Sequence, residues 1–149
     1  MKAFVNEELV LELELAFPPE RVFRGLTLEI ASWWSHRFRD GSAVGFEPRI
    51  GGRFYEDFGG GSAALYAFVT YIEPPIKLRL EGSMGMDGPV VSVMDFDFAK
   101  SALGTRLSLR HFILGSLDPG TVEEYRSGWG EILGKTLPAW LAGGSSASV

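Results

Sequence analysis

Residues 94–98 read Met-Asp-Phe-Asp-Phe, three apolar side chains interleaved with two carboxylates. Side chains alternate between the two faces of a strand, so this segment belongs in a sheet with one dry face and one wet face. The same alternation recurs along the chain. Residues 8–15 place Leu9, Leu11, Leu13 and Leu15 opposite Glu8, Glu12 and Glu14. Residues 77–81 put Leu78 and Leu80 inside, and residues 105–114 put Leu107, Leu109 and His111 on one face. With residues 53–58, 64–73 and 90–98 added, six strands are expected, joined after residue 53 by short glycine- or proline-bearing turns. Strands linked in this way form an antiparallel meander.

Two helical features flank the strands. Pro18-Pro19 ends the first strand, and proline suits the first turn of a helix, where its missing N–H is not needed. Val22, Phe23 and Leu26 then mark a short helix, and a second short one is expected over residues 28–34. Residues 39–51 have no clear period and read as a loop. After Asp118-Pro119, Tyr125, Trp129, Ile132, Leu133 and Leu137 recur at helical spacing, and Pro138 should kink or weaken the end of that helix. A sheet with one apolar face needs a cover, and only this last helix is long enough to supply it. The expected fold is α+β: a curved six-stranded antiparallel sheet wrapped around a long C-terminal helix, in the order β-α-α-β-β-β-β-β-α. One domain over residues 1–142 and a disordered tail over 143–149 complete the expectation.

Bulk properties narrow the function classes. Apolar residues make up 46% and charged residues 22%, which is globular composition. The net charge is −5 with no basic cluster, which argues against nucleic acid and against a polybasic membrane surface. The absence of cysteine excludes disulfides, thiolate catalysis and thiolate-bound zinc. The acidic, alternating N-terminus lacks the basic start and apolar run of a secretion signal. No run reaches the ~18 apolar residues of a membrane span. A soluble, cytoplasmic protein is expected, with no cofactor and no metal.

Several stretches carry a family resemblance. Pro18-Pro19-Glu20-Arg21-Val22-Phe23-Arg24-Gly25-Leu26-Thr27, followed by Trp33-Trp34, resembles the N-terminal signature of proteins related to the C-terminal domain of the Hsp90 ATPase activator Aha1, within the START/Bet v 1-like (SRPBCC) superfamily. Gly51-Gly52-Arg53-Phe54, Ile72-Glu73-Pro74-Pro75, the stretch from Gly104 to His111, and Gly128-Trp129 match in the same order. Ala67 and Tyr71 depart from the family pattern, which often has glycine and an acid there. The resemblance implies a helix-grip fold and a cavity for lipids, polyketides or other apolar molecules. It implies little about activity, because one fold hosts many functions.

The expected ligand-binding residues are Trp34, Phe38, Phe54, Glu56, Phe68, Phe96, His111 and Trp129. Large aromatics with few polar groups suit an apolar ligand, although aromatics also simply fill cores. His111 shares the inward face of its strand, where it could bond a ligand, act as acid or base, or be a buried histidine with a protein partner. Glu56 lies between Phe54 and Phe58 on an apolar face. Desolvation there would raise its pKa and suit it to proton transfer with His111, unless a buried arginine, a bulge or a rim position explains it. Asp95 and Asp97 face water opposite Met94 and Phe96, so a metal pair is not expected. The basic residues Lys77, Arg79, Arg106 and Arg110 should pair with acids across strands. The leading functional reading is a binder of a small apolar or amphipathic molecule, acting as sensor, carrier or sequestering protein. The alternatives are a cyclase, aromatase or hydrolase working in the same cavity, and a protein-interaction domain of co-chaperone type. A homodimer through the glycine-rich hairpins and Trp140 is a further expectation.

Overall fold

The computed structural model describes residues 1–147. Its elements run β1 (Ala3–Leu15), α1 (Pro19–Leu26), α2 (Ile30–Trp33), β2 (Ala43–Phe46), β3 (Arg53–Gly59), β4 (Ser62–Glu73), β5 (Lys77–Glu81), β6 (Val90–Lys100), β7 (Thr105–Leu117), α3 (Thr121–Glu131), a π-helical turn (Ile132–Thr136) and α4 (Leu137–Ala147). The strands form one antiparallel sheet in the order β1-β7-β6-β5-β4-β3-β2. The long excursion through α1 and α2 carries the chain from one edge of the sheet to the other. Every later strand then pairs with its predecessor until β7 meets β1.

The sheet has seven strands rather than six. The extra one is β2, inside the stretch read as a loop; it pairs with β3 from Ala43↔Asp57 to Phe46↔Phe54. Four residues are too few for a period to register. Gly45 adds to the disguise, because a side chain there would collide with the Tyr55 ring.

Strand parity holds through β5, β6 and β7. Leu78, Leu80, Met94, Phe96, Phe98, Leu107, Leu109 and His111 are all buried. Each large apolar side chain removed from water stabilises the fold by roughly 1.5–3 kcal/mol. The outer face is laced by cross-strand ion pairs. Lys77 meets Asp97 at 3.2 Å, Arg79 meets Asp95 at 2.7 Å, Arg106 meets Glu14 at 2.9 Å and Arg110 meets Glu8 at 2.6 Å. The two aspartates are thus ion-pair partners on the wet face.

Pro18 is extended, as a residue before proline must be, and Pro19 occupies the first position of α1. In the C-terminal helix, Pro138 has no N–H to offer the preceding turn. The backbone answers with a π turn, in which the Leu137 N–H reaches back five residues to the Ile132 carbonyl. The helix therefore changes register and continues, burying Leu137 and Leu141 against Gly25 of α1. It runs to Ala147, so the tail expected from residue 143 overlaps its end, and residues 148–149 lie outside the described residues. Trp140 is half-buried and donates to Glu29 Oε1 at 2.7 Å, which ties α4 to the loop between α1 and α2. Its indole N–H serves an intramolecular contact. No helix among the described residues is long and apolar enough to cross a membrane.

Candidate ligand pocket

Where α3 crosses the open side of the sheet, it leaves a pocket of about 210 Å³. Trp34 and Trp129, which also bound a small void beneath, form its floor, and Tyr66, Tyr125, Met84, His36 and Gly128 complete the lining with Glu124 and Ile132. Each of the four rings is anchored through its own polar atom. Trp129 Nε1 donates to His111 Nδ1 at 3.0 Å, and Trp34 Nε1 donates to the His36 carbonyl at 3.2 Å. Tyr125 Oη donates to the Met84 carbonyl at 2.7 Å, and Tyr66 Oη donates to Glu56 Oε1 at 2.5 Å. With these atoms committed, the rings present apolar edges and faces to the pocket. Burial pushes the Tyr125 phenol up to about 12, with Glu124 adding to the effect. Met84 holds a left-handed backbone (φ 51°), fixed by its N–H to the Tyr66 carbonyl at 2.9 Å and by the Tyr125 hydroxyl on its own carbonyl.

The interior below is nearly solid. The indoles of Trp34 and Trp129 meet edge to face at 6.1 Å. Beneath them remains a void of about 10 Å³ among Phe54, Leu78, Leu80 and Phe96. So small and apolar a space stays dry. The available volume therefore lies at the mouth of the grip, and the two indoles close it from the core.

Glu56 is fully enclosed, and its environment reverses the expected pKa shift. Desolvation does push the carboxyl upward. Ser42 Oγ (2.6 Å), Tyr66 Oη (2.5 Å) and the Phe38 and Arg39 backbone N–H groups (2.9 and 3.0 Å) outweigh it and bring the carboxyl down to about 2. An ionised acceptor with four donors is a structural clamp, fastening the loop after α2 to β3 and β4. It is not a proton donor near neutral pH.

His111 lies between Leu9 of β1 and Met94 of β6 and is fully buried. An indole N–H can only donate, so His111 Nδ1 is the acceptor and the neutral ring carries its proton on Nε2. That Nε2 has no hydrogen-bond partner. Burial lowers the His111 pKa to about 4. Glu56 and His111 each serve a different ring of the pocket, and the structure gives them no bond to each other.

The expected site residues therefore divide. Trp34 and Trp129 line the pocket; Phe54 and Phe96 lie beneath it in the core; Glu56 and His111 stand behind its walls. Phe38 is 53% exposed and stacks its ring on the outside of Tyr66 at 5.8 Å. Phe68 requires a correction: it is 45% exposed on the outer face of β4, because a register shift between Phe54 and Tyr55 changes which β4 residues face inward. Phe112, the outward neighbour of His111, is 38% exposed. His36, Met84, Glu124, Gly128 and Ile132 join the site only through the fold.

Both buried titratable groups make the protein sensitive to acid, in separate ranges. The unfolded chain protonates histidine near 6.5 whereas folded His111 does so at about 4, so stability is full above 6.5 and falls as pH drops toward 4. For Glu56 the values are 4.5 and about 2, so its contribution is present above 4.5 and is lost on descending through 2. Urea unfolding measured from pH 7.5 to 4.5 is expected to show His111 uptake rising to about one proton per molecule unfolded between about pH 6 and 5. A stability independent of pH between 6.5 and 5 would contradict the neutral buried His111.

The chain is similar in fold to several solved structures. A Mesorhizobium loti protein shares 22% identity, with 91% of this chain and 97% of that chain aligned and a TM-score of 0.68. A Chromobacterium violaceum protein shares 22%, covering 90% and 96%, also at 0.68. DynU16, from the dynemicin biosynthetic locus, shares 20% over 94% of this chain and 49% of its own length, at 0.64. No curated protein matches the chain. The profile of the activator of Hsp90 ATPase homolog 1-like proteins matches residues 16–142, which takes in every element except β1 and the end of α4, and the chain belongs to that family.

Proposed function

We propose that the protein binds a small apolar or amphipathic molecule in the pocket between α3 and the sheet, as a sensor, carrier or sequestering protein. The observation that carries this reading is the set of four aromatic rings, each locked by a bond to another part of the fold, around an open volume of about 210 Å³. Rings held in place before a ligand arrives lose little entropy when it binds. The volume is below the ~300–1,000 Å³ usual for drug-sized ligands, so it suits a small molecule or one end of a longer one. The family's fold and the similarity to a protein of a biosynthetic locus support the same reading.

Gly128 supplies the test. It lines the pocket from α3, and a Cβ there would meet only the His36 ring, at 3.8 Å. Gly128→Ala is expected to stabilise the helix by about 0.5–1 kcal/mol. Gly128→Leu should fold and fill the pocket. A thermal-shift screen of small lipids and aromatic compounds should yield ligands that raise the Tm of the native protein, as ligand at a hundred times Kd does by about 2.7 kcal/mol of stability. The same compounds should leave Gly128→Leu unmoved. Equal shifts in both proteins would place binding elsewhere.

A further inference from the structure

Resting on that reading, we propose that the pocket is selective for charge: the end of the ligand it encloses is an organic cation, an alkylated ammonium, preferred over neutral and anionic groups of the same shape. The polar atoms of the four rings are engaged by protein partners, so hydrogen bonding to the rings is not what they offer. They offer π surfaces, whose quadrupole is negative on the face and attracts an ammonium group.

The charges around the rings have the same sense. Glu124 lines the pocket. An adjoining groove of about 450 Å³ shares His36, Glu124 and Gly128 with it and adds Glu123 and Glu131. Neither lining includes a lysine or an arginine. Behind Tyr66 stands the ionised Glu56, accepting a hydrogen bond from the phenol and enriching that ring. The nearby cations are otherwise engaged. Arg37 donates to the carbonyls of Trp34, Ser42 and Ala31, and Arg126 pairs with Glu123 at 3.2 Å. Glu123 and Glu124 also complement the positive start of α3, as acids in a first helical turn do. That role explains two acids on the helix, but not a ring of anchored aromatics beside them. An anionic ligand would lie beside Glu124, with no lysine or arginine in either lining to receive it.

Choline and 3,3-dimethyl-1-butanol present nearly the same branched end with charge +1 and 0, and 3,3-dimethylbutanoate joins the neutral end to a carboxylate through one methylene. Each would be titrated into the full chain at pH 8, where an imidazole is uncharged, with the indole N–H NMR signals of Trp34 and Trp129 as the readout. Choline is expected to bind about tenfold tighter than the alcohol, within the range of a desolvated cation–π contact, and the butanoate weakest. Glu124→Gln, at an exposed position, should weaken choline about threefold, and the alcohol by clearly less. Alcohol or butanoate binding at those indoles as tightly as choline would overturn the charge preference and leave the pocket reading standing. No shift of either indole with any of the three would overturn both.

Discussion

Glu56→Gln is expected to lower stability by about 3–5 kcal/mol, and the melting temperature by about 10 °C. The carboxylate collects four donors: two backbone N–H groups, the Ser42 hydroxyl and the Tyr66 phenol. Glutamine has one carbonyl oxygen and would turn an N–H₂ toward the remaining donors. At least one backbone N–H would then face that N–H₂ unsatisfied in an enclosed site, and one hydroxyl would have to reverse its bond, which is more damaging than never having formed the bonds. The loss should also be local in a way that a general destabilisation is not. The Phe38 and Arg39 amides bond directly to the carboxylate, so their hydrogen exchange should accelerate far more than that of β6 and β7. If the variant melts like the native protein, or if those two amides keep their protection, Glu56 is not the clamp.

Trp129→Ala is expected to be as damaging, again about 3–5 kcal/mol. The indole is part of both the pocket floor and the roof of the small apolar void, so its removal would join the two spaces. It would also leave His111 with neither ring nitrogen bonded in a fully buried position. Trp129→Phe separates these effects in part: it keeps a six-membered ring in the floor while removing the N–H and part of the bulk, with an expected loss of about 1–3 kcal/mol. Urea unfolding should order the three proteins native, Phe, Ala. The alanine variant, if folded, should accept larger ligands than the native protein, since the barrier between mouth and core is gone. Equal losses for Phe and Ala would mean that the hydrogen bond, rather than the bulk of the ring, holds the floor.

The sheet was legible in the sequence because its code is simple. Met94, Phe96 and Phe98 against Asp95 and Asp97 declare two faces, and both faces are as declared. The helix was legible from Trp129, Leu133 and Leu137, though a period cannot show a π turn, which arises from the missing N–H of Pro138. The site was only partly legible. Trp34 and Trp129 lie where the pattern puts them, but parity fails at a bulge, and Phe68 turns outward for that reason. Glu56 was correctly read as inward, while its protonation depended on donors from residues 38, 39 and 42, a loop with no pattern to read. The contribution of Tyr66, Met84 and Tyr125 depends on three segments meeting in space.

The most direct test is the mass of the protein as it comes from cells. Purified gently and measured by native mass spectrometry, the native chain should carry a bound small molecule that is released on denaturation. Gly128→Leu, prepared in parallel, should carry none. Native protein of bare polypeptide mass that also fails to take up any compound in the thermal-shift screen would contradict the account, as would the same adduct on both proteins.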